Sequence, residues 1–505
     1  MRQYRIKYVC TLYDILVLCF ILWWISSSFI FNSRVISNEQ LIYSYTLSVV
    51  YVATRIFRSS ISVQRRLYIC IAFLGSIEAI IGWGQYWNII ESNHPLFSIT
   101  GTFTNPGPYG AFLGIALLIQ IHFAWHKYIA KQYMSLFMLL IVGLLTGSMF
   151  IASFSRAAWV ALLIAVSFFF FLFQKKRYRY AGLLLLILFL FSSPFLYQLK
   201  KQSADGRLFI WRVCTELIQS KPYTGGGASS FAARYMYAQA DFLEKHPNHE
   251  YAAKATNNIY AFNEYLRIAC EYGLPGILLY VTIWLHGIYC KATYCDRLRK
   301  LLLIYLAVFS LFSYTFQVLP LAVLCIVLGA FQNNNSKFTF YAFPMRYLVI
   351  MLLLMTIIAW SGTRSSQYEK KEILFTAKQL YTQQNYADAK EYLEKAAYLS
   401  PTSEILMDLG NSYFHLQNNA KAEHCFRIAC NMVPGRILPQ YYLFRFYAIT
   451  MRNQEAITLG QSILFGDYQL EGSIAMQAKT HIKRYLSDIR TVSYTHLTLP
   501  TTSRV

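Results

Sequence analysis

The sequence predicts an all-α protein: a polytopic bundle of about 11 transmembrane helices with a long external loop, then a soluble solenoid of helical hairpins. Three observations carry that expectation. The 505 residues are 56% hydrophobic, 17% aromatic and only 14% charged, too apolar for an ordinary soluble chain. Apolar runs long enough to cross about 30 Å of hydrocarbon recur through the first 361 residues. After Ser361 the composition turns polar and a repeat of about 34 residues begins.

The apolar runs lie near 12–31, 41–57, 68–89, 108–125, 133–152, 157–174, 180–198, 273–290, 301–317, 319–331 and 346–361. The first lacks a small-residue cleavage site and reads as a retained helix, not a removed signal peptide. The net charge is +22, from 46 Lys and Arg against 24 Asp and Glu. The basic residues cluster in short connections between apolar runs, which makes them topology signals and argues against a nucleic-acid surface. With "MRQYRIK" cytoplasmic, the connections "RIFRSSISVQRR", "HKYIAKQ", "QKKRYRY", "CKATYCDRLRK" and "NNNSKFTFYAFPMR" are cytoplasmic too, and each carries at least two basic residues. The alternate connections, the long segment 199–261 and the C-terminal region then lie outside.

The chain divides into a membrane domain over 1–361, with the loop at about 199–261, and a repeat domain over 365–490. In the latter, Leu406, Leu409, Gly410, Tyr413, Ala422, Phe426, Ala429 and Pro434 fall at tetratricopeptide-repeat positions. Tyr386, Ala389, Leu393, Ala396 and Pro401 form a weaker copy before it; Tyr447 and Ala456 mark a third. Stacked hairpins of this kind expose a concave surface suited to a protein partner; a spacer that only props the membrane domain is the competing reading. The stretch 492–505, beginning "VSYTHLTLPTT", reads as translated sequencing adaptor and is set apart from the fold.

No cofactor is expected. The ten cysteines are scattered without metal-ligand spacing, and His246 and His249 of "HPNH" have no third ligand nearby in sequence. The external arginines say more. Arg156 in "SFSRAAW" sits at the outer end of a span, where basic residues are disfavoured, so either function or snorkelling to headgroups keeps it there. Arg207 and Arg212, with Trp211 between them, suggest an amphipathic segment on the outer surface before a sharp Pro and Gly turn. A guanidinium forks onto phosphate oxygens as Lys cannot, which fits a pyrophosphate ligand.

The motifs "GTFTNPGPYGAFLGIAL", "SFSRAAWVALL", "GRLFIWRVCTELIQSKPYTGGGASSF" and "NEYLRIACEYGLPGILLY" occur in the order found in the O-antigen ligase and polymerase superfamily. The chain resembles that superfamily over about 43–332. The resemblance implies a glycosyltransferase of the bacterial inner membrane. It would move a glycan from an undecaprenyl-diphosphate carrier to an acceptor on the periplasmic face, without nucleotide sugar or metal. The acceptor would be a lipid A core sugar, the growing glycan or a protein hydroxyl. Arg156 and Arg207 would be diphosphate contacts and Arg212 a further candidate. Ligases of the superfamily usually carry His just before the Asn of the last motif; this chain has Phe262 before Asn263. With that imidazole missing, Glu264 is the nearest carboxylate able to take or orient the acceptor proton, beside Asn263. A transporter would place charges at the bilayer midplane and show repeat symmetry, neither of which is visible. A pure scaffold would leave the external arginines unexplained.

The charge bias makes a topological prediction. A reporter active only outside the cytoplasm, fused at about Ser365, should give signal, and one fused within "QKKRYRY" should not. Cytoplasmic placement of the C-terminal region would contradict the arrangement.

Overall fold

The computed structural model describes residues 7–9, 11–32, 38–57, 60–173, 176–198, 201–247, 249–291, 294–332, 339–341, 372–466, 468 and 472–497. It is helical apart from two short antiparallel strands, Lys7–Val9 and Thr339–Tyr341, with Tyr8 opposite Phe340. The helices group into two units: 1–201 with 221–228 and 260–366, and 202–220 with 229–259 and 367–505.

In the first unit the helices are α1 (Leu12–Ile25), α2 (Asn38–Phe57), α3 (Ile61–Tyr86), α4 (Pro106–Ile129), α5 (Tyr133–Ala152), α6 (Arg156–Phe173) and α7 (Lys176–Gln198). The second unit contributes α8 (Lys201–Ser220) and α9 (Ser230–Lys245); the first resumes with α10 (Glu264–Tyr289), α11 (Asp296–Ser310) and α12 (Leu319–Ala330). Leu12–Phe31 and helices α3, α4, α5 and α10 are long and apolar enough to cross a membrane; α6, α7 and α12 supply shorter apolar stretches. The chain is a multi-pass membrane protein. The expected run 301–317 does not form a single helix: α11 stops at Ser310, whose hydroxyl bonds Leu306 O and Thr315 Oγ1, and a 3-10 turn over Thr315–Gln317 leads into α12. The expected span 346–361 lies outside the described residues.

Helix α4 is the centre of this unit, packed by α3, α5, α6 and α11. Its inner residues, including Ala111, Leu113, Ile115, Ala116 and Ile119, are fully buried. Opposite it, Ala158, Ala161 and Ala165 give α6 a small-residue face that allows close helix approach. Helices α1 and α2 are locked by a buried ion pair. Arg55 donates to both oxygens of Asp14 at 2.8 and 2.6 Å and to the carbonyls of Ala330 and Gln332 at 3.0 Å. Thr11 and Tyr51 hydroxyls donate to the same carboxylate, so neither charge is left uncompensated in an apolar setting.

Helix α10 is broken. Gly273 has φ +65° and ψ −168°, backbone that essentially only glycine adopts, and Pro275 lacks the N–H that would bond Glu271 O. Three carbonyls lose their helical partners, and each finds another. Cys270 O accepts from Gly226 N at 3.0 Å, Glu271 O from Gly227 N at 2.8 Å, and Tyr272 O from Trp23 Nε1 at 2.8 Å. Leu274 N turns instead to Pro222 O at 2.8 Å. A π-helical turn, Ser26–Phe31, closes the other side: Ser27 Oγ donates to Thr224 O at 2.7 Å, and Ser28 Oγ accepts from Ala228 N at 3.1 Å. The Pro and Gly run after α8 is thus the patch that satisfies a broken helix.

In the second unit the C-terminal helices are α13 (372–382), α14 (Tyr386–Leu399), α15 (Ser403–His415), α16 (Asn419–Met432), α17 (Ile437–Ile449), α18 (Asn453–Phe465) and α19 (Gly472–Leu497). From α14 on, each packs on the next, and α15 also meets α17, as α17 meets α19. Leu406, Leu409, Tyr413, Ala422, Phe426 and Ala429, singled out by their spacing, are all buried.

Gly225 tests the patch. It has φ +64°, and a Cβ there would lie 2.4 Å from Glu271 O. Gly225→Ala should cost about 1–3 kcal/mol from backbone strain alone, read as a lowered thermal-unfolding midpoint in detergent. Gly143→Ala, inside α5 with nothing within 4 Å, is the matched control and should stabilise or leave the midpoint unchanged. Equal midpoints for Gly225→Ala and the unaltered protein would remove the patch as a structural requirement.

Candidate active site

The first half of α10 carries the densest group of charges in the last sequence motif. Asn263 is its N-cap: Oδ1 accepts from Leu266 N at 3.1 Å, which satisfies one of the first-turn N–H groups. Glu264 follows as the first helical residue. The spacing of Glu264, Arg267 and Glu271, three and then four residues, puts all of them on one face. Arg267 donates through Nε to Glu264 Oε1 at 2.9 Å, again to that oxygen through Nη2, and through Nη1 to Glu271 Oε2 at 2.5 Å. All three side chains are buried, Glu264 to 1% exposure.

The cluster is asymmetric in a way that bears on chemistry. Both Arg267 contacts to Glu264 fall on Oε1; Oε2 is buried and finds no hydrogen-bond partner among the described residues. Two carboxylates share one guanidinium. One oxygen is therefore fixed in place while the other stays open as an acceptor. Tyr43, Tyr265, Tyr280 and Cys325 lie within electrostatic reach of Glu264. Tyr265 and Tyr43 are anchored through their hydroxyls to Ala307 O at 3.1 Å and Phe316 O at 2.7 Å.

Phe262, at the position where the resemblance leads one to expect His, has φ +50° and packs edge-on against Tyr260 and Tyr314. Those two rings stack with centroids 4.2 Å apart. The position is therefore aromatic rather than titratable, and the nearest carboxylate is the clamped Glu264.

Arg156 is half-buried as the first residue of α6. The preceding turn has Phe154 at φ +48°, and Ser155 Oγ donates to Gly107 O at 3.2 Å. This brings "SFSR" against the start of α4 and joins the first two motifs in space. The α4 terminus itself offers few donors: Pro106 and Pro108 lack N–H, and Gly107 N is bound to Asn105 Oδ1 at 2.9 Å. An anion there would depend on the Arg156 side chain. The loop before α4 is held by two polar residues of α3. Gln85 Oε1 accepts from Thr100 N and Gly101 N at 2.9 and 2.8 Å, and Glu78 accepts from Thr102 N at 3.0 Å.

Arg207 and Arg212 lie on α8 in the second unit, Arg207 half-buried and Arg212 exposed. The segment is amphipathic, but its apolar face, with Phe209, Ile210, Val213 and Leu217, is buried within the protein, not spread on lipid. Phe209 packs against the rings of Phe242 and His249. His246 stacks on Phe242 with its Nδ1 3.0 Å from Phe242 O, while His249 Nδ1 accepts from Tyr251 N at 3.3 Å. These histidines are packing and turn residues here; among the described residues no group of three metal-ligand side chains gathers.

Sequence reasoning placed Glu264 and Asn263 on α10 but missed the part of Glu271 and of the α3 pair Glu78 and Gln85. The signal was present: carboxylates three residues before and four residues after an Arg, and polar residues inside an otherwise apolar run.

Residues 136–281 match the family model described as O-antigen ligase, a glycosyltransferase-type ligase family of polysaccharide assembly. That stretch, less than half of the chain, spans Arg156, Arg207, Arg212, the glycine patch and the Glu264 cluster. No curated protein and no solved structure matches the chain. What the chain resembles, over the part that holds these arginines and the Glu264 cluster, is O-antigen ligase.

Proposed function

We propose that the protein is a membrane glycosyltransferase that takes a glycan from an undecaprenyl-diphosphate carrier at the periplasmic face of the inner membrane. The reaction needs neither metal nor nucleotide sugar. The observation that carries this reading is Glu264: a buried carboxylate with one oxygen held in the Arg267 fork and the other unpartnered, at the head of a broken helix. An acceptor hydroxyl that donates to Oε2 is oriented for attack on the anomeric carbon. As the new glycosidic bond forms, the bond from that carbon to the diphosphate oxygen breaks. The hydroxyl proton passes to Glu264 and the electron pair leaves with the carrier diphosphate. Asn263 caps the helix and fixes the carboxylate's position.

Leaving-group charge builds on the diphosphate, and fixed guanidinium groups stabilise it. Arg156 is assigned to that role, with Arg207 a further contact carried by the resemblance and Arg212 a candidate from its place in the same segment. The same chemistry serves a lipid A core sugar (ligase), the growing glycan (polymerase) or a protein hydroxyl as acceptor. The C-terminal helices are read as tetratricopeptide hairpins on the periplasmic side. Their spacing, their buried small residues and the stepwise packing of α14 to α19 support that reading.

Glu264→Gln keeps shape and leaves Arg267 paired with Glu271, so the fold should survive. Transfer in membranes should fall about 10²–10⁴-fold while carrier-linked glycan accumulates. Unchanged transfer between pH 6 and 8 would remove Glu264 from the mechanism. Arg156→Lys keeps charge but loses the bidentate fork, and should lower transfer by about tenfold or more. Full activity at normal protein level would assign Arg156 to headgroup contact instead.

A further inference from the structure

The loop helices and the C-terminal helices belong to one folded unit although more than a hundred residues separate them in sequence. Helix α9 packs on α14 and α16. Gln239 on α9 is fully buried and its Nε2 donates to Met432 O at 2.6 Å and to Thr256 O at 3.2 Å. Asn257 makes a reciprocal pair with Ser403: Asn257 Nδ2 donates to Ser403 Oγ, and Asn257 Oδ1 accepts from Ser403 N, both at 3.2 Å. A loop side chain thereby satisfies a first-turn N–H of α15. Gly435 lies so close to Ala253 that a Cβ would fall 2.3 Å from its carbonyl oxygen.

The same stretch of loop grips α8. Lys254 Nζ donates to Asp205 Oδ2 at 2.5 Å, with the Asp205 side chain only 2% exposed. Phe209 is held by Phe242 of α9 and His249. Asp205 and Phe209 stand two residues before and two after Arg207. A connected set of contacts therefore runs from Gly435, Met432 and Ser403, through Ala253, Gln239 and Asn257, to Lys254 and Asp205.

We propose that the C-terminal helices act as a positioning element for the external loop, fixing α8 so that Arg207 is presented in one orientation. Gln239, Asn257 and Gly435 are the positioning residues. One consequence is topological: segments that share a fold lie on the same side of the membrane, so the loop and the C-terminal helices face the same compartment. The proposal rests on the function given above for what Arg207 does, but not for the docking itself.

Two measurements on the full chain in membranes test it. In an Asn257→Cys/Ser403→Cys protein carrying a protease site in the segment before residue 372, a disulfide should hold the two cleaved pieces together until reductant is added. Separation without reductant would overturn the docking. With a synthetic undecaprenyl-diphosphate disaccharide as donor, Gly435→Val and the milder Asn257→Ala should raise the donor KM or lower kcat/KM, by up to about a hundredfold for Gly435→Val. In an Arg207→Ala background neither should have further effect, because each acts through Arg207. Additive losses in the double variants would mean general destabilisation and overturn the positioning role. Full activity of Arg207→Ala alone would instead remove Arg207 from the function proposed above, and with it the positioning claim, while leaving the cross-link result intact.

Discussion

The break in α10 at Gly273 is the constraint on which the first unit depends. A helix interrupted in an apolar environment exposes carbonyls that cost several kcal/mol each when left unpaired. Here Gly226, Gly227 and Trp23 each supply a donor to one of them. That requirement explains why a glycine run, and an indole followed closely by a π-helical turn, come from two distant parts of the chain to meet at one place. It also fixes the first half of α10, and therefore where Glu264, Arg267 and Glu271 stand.

The charge arrangement above the break follows the same logic. A lone buried carboxylate would be expensive, and a single carboxylate paired with Arg267 would be neutral and fully engaged. Sharing the guanidinium between Glu264 and Glu271 gives each acid a partner yet leaves one oxygen of Glu264 without one among the described residues. Such an oxygen is costly to keep in a resting protein, and an incoming hydroxyl would relieve that cost. Asp14 shows the contrast: its two oxygens are both taken, by Arg55, Thr11 and Tyr51, and it ties α1 to α2.

Much of this was legible in the sequence because apolar periodicity and length report directly on burial in lipid. The long runs that became α4 and α5 were found within a few residues, that of α3 was found but begun late, and the small and aromatic residues of the C-terminal helices were picked out by spacing alone. The run at 273–290 started too late, because Gly273 and Pro275 look like a helix boundary when they mark an internal break. The glycine patch was read only as a turn: nothing local in "KPYTGGGASS" says which carbonyls it will satisfy. Grouping of the loop with the C-terminal helices was also invisible, since Gln239, Asn257 and Gly435 are ordinary residues whose partners lie far along the chain.

The most direct test of the central claim is a structure of the full chain with undecaprenyl diphosphate and an acceptor sugar bound. The account predicts phosphate oxygens within about 3 Å of the Arg156 guanidinium and an acceptor hydroxyl at the same distance from Glu264 Oε2. A bound carrier whose diphosphate is distant from Arg156, with Glu264 Oε2 reached by no acceptor hydroxyl, would contradict it.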